Sequence, residues 1–384
     1  MIRAALVISA LYFSVAARAM VPVPTPPTPP PLPAPQIAGV KAAVLLDVHT
    51  GQVLLDQNGS TELDPSGLVK LMTAYLLYQA EAQKLLTPAQ RVEVSVQAWH
   101  APGSRMFLQP GLPVTVAQLT HGLLIDGGND AAIAIAQAVA GSESGFVDLM
   151  NQEAQQLGLH HTHFVNPDGM PAPEEKSTAL DIARLGRDLL RKYPQVAQVA
   201  GQASYRYNKI TQFNYNPLAG QRGITGLGVG LASAHDWDLA VSATKKGRSL
   251  VAVVLGAGSR AVAGADGAAM LHYGFHGWQE HLVYPANGVV AKLRQSDWSP
   301  ETLSVITPAA LSVVLPKGSP DKAVQSHFVP MAHLAAPIHA GQPVGTLNLQ
   351  WQGKTLRSET VLAQESVGKA SWMDRLWHHL RSWL

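Results

Sequence analysis

The chain contains no cysteine, which removes disulfides, thiolate metal ligands and cysteine nucleophiles from consideration together. Charge is scarce as well: Asp, Glu, Lys and Arg make up 14% of 384 residues, with 28 basic against 26 acidic. The resulting formal charge of +2 leaves no electrostatic footprint for nucleic acid. Aromatic residues are also sparse at 6%, so three tryptophans gathered at the C-terminus stand out. What remains is an apolar fraction of 47% on a chain long enough for two or three domains with a packed core.

The two ends have distinct patterns. "MIRAALVISALYFSVAARA" carries one early cation, Arg3, then an apolar run over Ala4–Ala17 and a small-x-small close at Ala17-Arg18-Ala19. The run is short for a membrane span and has the form of a secretory signal, expected at 1–19. "VPVPTPPTPPPLPAPQ" follows; such proline density imposes an extended conformation, so 20–36 is read as a spacer. At the other end, 366–384 includes "ASWMDRLWHHLRSWL". Trp372, Trp377, Leu380 and Trp383 fall on one helical face, opposite Asp374, Arg375, His378, His379 and Arg381. Such a helix is too short to cross a bilayer but suits its interface, the predicted partner being the inner-membrane surface.

Between the ends, apolar runs at Ala42–Leu46 and Val53–Leu55 flank Thr50-Gly51, a hairpin signature. Leu68, Leu71, Met72, Tyr75, Leu76 and Ala80 recur at helical spacing after Asp64-Pro65-Ser66. Leu119–Ala140 reads as helix interrupted at "DGGND", Phe146–Leu157 as another, and Ser177–Pro194 as a capped amphipathic helix. "DLAVSAT" and "SLVAVVLGA" should pair across Lys245-Lys246-Gly247, followed by a helix over Ala265–Trp278. This is an α/β pattern with an antiparallel sheet, expected at 37–283. From 284 to 365 short alternating runs such as "LSVVLP" and "PVGTLNLQWQGKTL" predict a small all-β domain.

Several stretches, "LDVHTGQVLLDQN", "KLMTAY", "GNDAAIAIA", "HFVNPDGM", "STALDIARLG" and "LAVSAT" among them, resemble the low-molecular-weight penicillin-binding D-alanyl-D-alanine carboxypeptidases of the bacterial periplasm. The resemblance runs from about Ile37 to Leu384. It implies a β-lactamase/transpeptidase-like α/β (α+β) domain, then the all-β domain and the C-terminal amphipathic helix. It further implies serine peptidase chemistry without a cofactor, peptidoglycan stem peptides or β-lactams as ligands, and a periplasmic location at the inner membrane.

That chemistry requires Ser-x-x-Lys, whose spacing puts nucleophile and base on one helix face. It also requires Ser-x-Asn and a Lys-Thr-Gly strand. Ungapped alignment of "DPSGLVKLMTAY" places Gly67 at the nucleophile and retains Lys70; "LLIDGGNDAA" places Gly127 at the second serine and retains Asn129. Counting back from "LAVSAT" places Gly228, Val229 and Gly230 at the third motif, although a local shift would use Gly223–Gly226 instead. The substrate-carboxylate arginine falls near Ala263, with Arg260 the nearest substitute.

Glycine has no hydroxyl, so this pattern predicts a homologue that does not acylate. One competing expectation is Ser66 as a substitute nucleophile beside Lys70; the ordinary role of a serine there is to cap the helix. Another discards the cleft and leaves an envelope scaffold. His160, His161 and His163 lie near no carboxylate at ligand spacing and are read as structural, so no metal is expected.

Overall fold

The computed structural model describes residues 32–233 and 236–371. The expected signal peptide, most of the proline-rich spacer and the amphipathic face of Trp372, Trp377, Leu380 and Trp383 lie outside the described residues. Among those described, no helix is long and apolar enough to cross a membrane.

The first sheet is built from Ala42–Asp47 (β1), Val53–Gln57 (β2), Ile224–Ser233 (β3), Asp236–Lys245 (β4) and Arg248–Ala257 (β5). Its order is β2-β1-β5-β4-β3, antiparallel throughout. Successive side chains of a strand point to opposite faces, and β1 obeys this closely. Ala42, Val44 and Leu46 enter one core cluster while Ala43 and Leu45 enter another. Both faces are therefore covered, and the strand reads as a continuous apolar run. Its last residue, Asp47, is buried but ion-paired with Arg248 at 2.7 Å.

Helices Lys70–Ala82 (α1), Val116–Leu124 (α2), Asn129–Ala140 (α3), Glu143–Gln156 (α4) and Ala179–Lys192 (α5) contribute to the first cluster, and Arg260–Gly277 (α6) to the second. Tyr75, Phe146 and Phe164 are fully buried there, each burial stabilising by about 2 kcal/mol. Local chemistry sets the helix starts. Thr115 and Gln118 form a capping box for α2, and Thr178 Oγ1 accepts the Asp181 amide at the start of α5. Helix α6 begins five residues before the expected Ala265, because Ser259 Oγ accepts the Val262 amide and caps it earlier. The "DGGND" interruption separates α2 from α3 as expected.

The β-rich part comprises Trp278–Tyr284 (β6), Val289–Arg294 (β7), Thr302–Ile306 (β8), Leu311–Pro316 (β9), Gln325–Pro330 (β10), Pro343–Trp351 (β11) and Lys354–Ala363 (β12). β6 pairs with β9, and the other five form a sheet in the order β7-β8-β12-β11-β10. A third core cluster around Trp298, Leu303, Leu347 and Val361 fills it. The side chain of Gln52 reaches this part from the loop after β1. Its amide donates to the Val314 carbonyl at 3.0 Å and accepts the Val314 N–H at 2.5 Å.

Candidate active site

The segment entering α1 departs from a simple helix start. Ser66–Val69 form a 3-10 turn, and the α-helix proper begins at Lys70. The cap expected of Ser66 is not made. The cap position is Pro65, with no side-chain bond, and the Ser66 amide itself donates to Asp64 Oδ1 at 2.8 Å. The Ser66 hydroxyl turns the other way and donates to Asp238 Oδ2 on β4 at 2.6 Å. Both residues are buried, at 2% exposure each. Burial raises Asp238 to about 6, with the Ser66 and Gly256 hydrogen bonds acting against that rise. Ser66 is held at φ +45°, a left-handed conformation that costs a non-glycine residue about 1–3 kcal/mol.

Gly67 lies at the floor of a cleft of about 270 Å³. A Cβ on this residue would meet the Val229 carbonyl oxygen at 2.7 Å and Gly230 Cα at 3.1 Å. These are backbone atoms and cannot swing aside, so β3 stands in the space that any side chain at 67 requires. The same Cβ would lie 3.6 Å from Lys70 Nζ. The amine therefore faces the position where the resemblance expects a nucleophile.

Lys70 is half-buried, and its Nζ donates to the Asp168 main-chain oxygen at 2.5 Å. Burial lowers its pKa to about 8, opposed by the charges of Asp168 and Asp130. One turn on, Thr73 Oγ1 donates to the Pro167 carbonyl at 2.6 Å, fixing the same loop to α1.

Asn129 opens α3, where it lines the cleft opposite the turn. Its Nδ2 donates to the Pro102 carbonyl at 2.8 Å, while Oδ1 is buried without a partner. Asp130 beside it accepts the amides of Met106 and Leu108 at 2.9 and 3.0 Å, and so binds the 102–108 loop to the helix start. Gly127 sits at φ +60° with open space where a side chain would stand, its nearest neighbour being Tyr215 Cδ2 at 3.8 Å. Only glycine adopts this conformation without strain.

The third wall is β3. Gly228, Val229 and Gly230 pair with Ala240, Leu239 and Asp238 of β4 and line the cleft. The shifted alternative, Gly223–Gly226, is not brought there: a Cβ on Gly226 would strike Ala200 instead. Thus Gly67, Lys70, Gly127, Asn129 and Gly228–Gly230 converge on one cleft, and Ser66 is left out of it. Arg260 donates to the carbonyls of Tyr215 and Asn214, at 2.8 and 3.1 Å, and Ala263 is buried in the core under α6.

Sequence reading missed Asp168, Ser104, Tyr215 and Trp237, all of which line the cleft. Asp168 contributes through its main-chain oxygen, which no residue type announces, although it stands within the quoted "NPDGM". It also missed Asp126, whose buried carboxylate has neither oxygen partnered. Burial, then the charge of Asp130, raises that group to about 7.

Against known proteins, residues 30–259 match the family model described as D-alanyl-D-alanine carboxypeptidase. The chain belongs to that family. Residues 278–369 match the C-terminal domain of penicillin-binding protein 5. The carboxypeptidase DacC of Escherichia coli K12 is 33% identical over 347 residues, covering 88% of this chain and 86% of the relative. DacF of Bacillus subtilis 168 is 32% identical over 349 residues, covering 89% and 90%. Penicillin-binding protein 5 from Haemophilus influenzae superposes with a TM-score of 0.81 at 27% identity, over 88% of this chain and all of that one. The penicillin-binding-protein fold with its C-terminal all-β domain is therefore the fold of this carboxypeptidase homologue.

Proposed function

We propose that this chain is an exported carboxypeptidase homologue that binds peptidoglycan stem peptides without forming an acyl-enzyme. One observation carries the reading: at Gly67, which alignment with the family's first motif puts at the nucleophile position, the Val229 carbonyl lies 2.7 Å from where a Cβ would be. Acyl transfer needs an oxygen nucleophile at the base. Here the base position, Lys70, faces a residue with no side chain and donates instead to Asp168. Gly127 and Gly228 remove a second hydroxyl and the strand cation. What is left for a peptide is a shaped cleft with Asn129 and an edge strand. β-Lactams, on this reading, are held non-covalently if they bind.

We assign 1–19 to a cleaved signal, 20–36 to a spacer, 37–283 to the carboxypeptidase-like domain and 284–365 to the β-domain. Residues 366–384 attach the protein to the periplasmic face of the inner membrane. Deleting the chain from Ser371 should abolish sedimentation with phospholipid vesicles; retained sedimentation would refute the attachment.

The decisive experiment is incubation with a labelled penicillin followed by intact-mass measurement. No covalent adduct is expected. An adduct that disappears in Ser66→Ala, or in Ser104→Ala on the cleft rim, would overturn the reading. Ser66→Ala is expected to change stability alone, by about 1–2 kcal/mol, through the lost bond to Asp238.

A further inference from the structure

A peptide ending in D-alanine carries a free carboxylate, and taking that charge out of water is costly unless a cation receives it. The strand wall supplies none. Gly228 and Gly230 have no side chains, and Val229, Leu231 and the half-buried Trp237 surround them with apolar surface. Among the described residues, Lys70 is the one lysine or arginine lining the cleft. Its ammonium donates to the Asp168 main-chain oxygen at 2.5 Å and feels the attraction of the Asp168 carboxylate, which also lines the cleft. Arg260 is directed at the carbonyls of Asn214 and Tyr215. A second anion would therefore enter a cleft whose single cation is already hydrogen-bonded to a main-chain oxygen and which Asp168 also lines.

One polar group of the cleft lacks a partner, and a terminal amide adds one N–H to those that either peptide could offer it. Asn129 is 4% exposed, and its Oδ1 has no hydrogen-bond donor. An acceptor of this kind is satisfied by an N–H and gains nothing from a carboxylate, which has no proton to give.

We propose that the cleft selects stem peptides whose terminal D-alanine carboxyl is already joined in an amide, as in a cross-linked strand, over peptides ending in a free carboxylate. The inference rests on the non-covalent peptide-binding reading above and names the ligand class for it. It also assigns the selectivity to position 228. A Cβ there would meet Leu68 and Leu71 at 3.5 Å, ordinary contact distances, so a side chain can start from this position without a clash.

Isothermal titration of the full chain with diacetyl-L-lysyl-D-alanyl-D-alanine and with its C-terminal methylamide tests this. The methylamide should bind about tenfold or more tightly than the acid, and Gly228→Lys should abolish or reverse that ratio. An acid that binds as well as the methylamide overturns the selectivity and leaves the binding reading intact. A ratio unchanged in a folded Gly228→Lys variant overturns the role of the strand wall. Binding of neither peptide at millimolar concentration removes the peptide-binding reading itself, and the inference with it.

Discussion

On the helical side of the cleft, polar side chains are still tied to the backbone. Lys70 reaches the Asp168 carbonyl, Asn129 the Pro102 carbonyl, and Asp130 the amides of Met106 and Leu108. On the strand side, Gly228, Val229 and Gly230 offer main chain and one apolar side chain. The difference separates two jobs that one motif can hold. Lys70, Asn129 and Asp130 each brace a loop or helix start, so removing them would unsettle the fold. Gly67, Gly127 and Gly228 bring main chain alone to the cleft, and at Gly67 the β3 backbone stands where a side chain would be. One wall is thus held by side-chain hydrogen bonds and the other by strand pairing.

If that contrast is right, the largest effect should come from the helical side. Asp130→Ala leaves the Met106 and Leu108 amides unpaired in a buried setting. A loss of about 3 kcal/mol or more in urea unfolding is expected, since each orphaned group costs about 1–3 kcal/mol. A loss below about 1 kcal/mol would erase the distinction between the walls.

Gly67→Ser should come next. Its Cβ must displace the β3 backbone from 2.7 Å, and overpacking of this kind costs about 1–3 kcal/mol. Thermal melts should register the cost, with no gain of penicillin acylation from this change alone. A neutral melt would mean that β3 yields readily.

Much of this was legible in the sequence. The β1–β2 hairpin, the α2–α3 break at "DGGND" and the β4–β5 turn follow from periodicity and turn residues that act over short range. The convergence of Lys70, Asn129 and Gly228–Gly230 was implied by the resemblance to the carboxypeptidase family and its three motifs. The approach of the Val229 carbonyl to Gly67 was not, because it depends on how far one strand advances across a gap of more than 150 positions. The Ser66–Asp238 bond escaped for the same reason. A serine beside a helix start reads locally as a cap, and a distant carboxylate outcompeted that role.

The smallest expected effect concerns Asp126, which joins α2 to α3 yet has no partner for either oxygen. Burial raises it to about 7. The folded value lies above the unfolded one, so the folded protein keeps a proton that the unfolded chain releases. Its contribution to stability is present at acid pH and declines as pH climbs from about 4 to about 7. Asp126→Asn should flatten that decline in melts across this range. An unchanged slope would mean that Asp126 is solvated and lies outside the bracing of the helical side.

Gln52 has a different kind of consequence. Its amide offers one donor and one acceptor, the same pair that a peptide unit offers, and Val314 takes both. A single side chain thus does the work of an extra strand residue at the junction with the β-rich part. It does not act alone: His49 meets Glu280 at 2.6 Å, Arg248 donates to the Trp278 carbonyl, and Val314 itself is buried in the second core cluster. The β-rich part is thus seated by one peptide-like clasp set among ionic and apolar contacts.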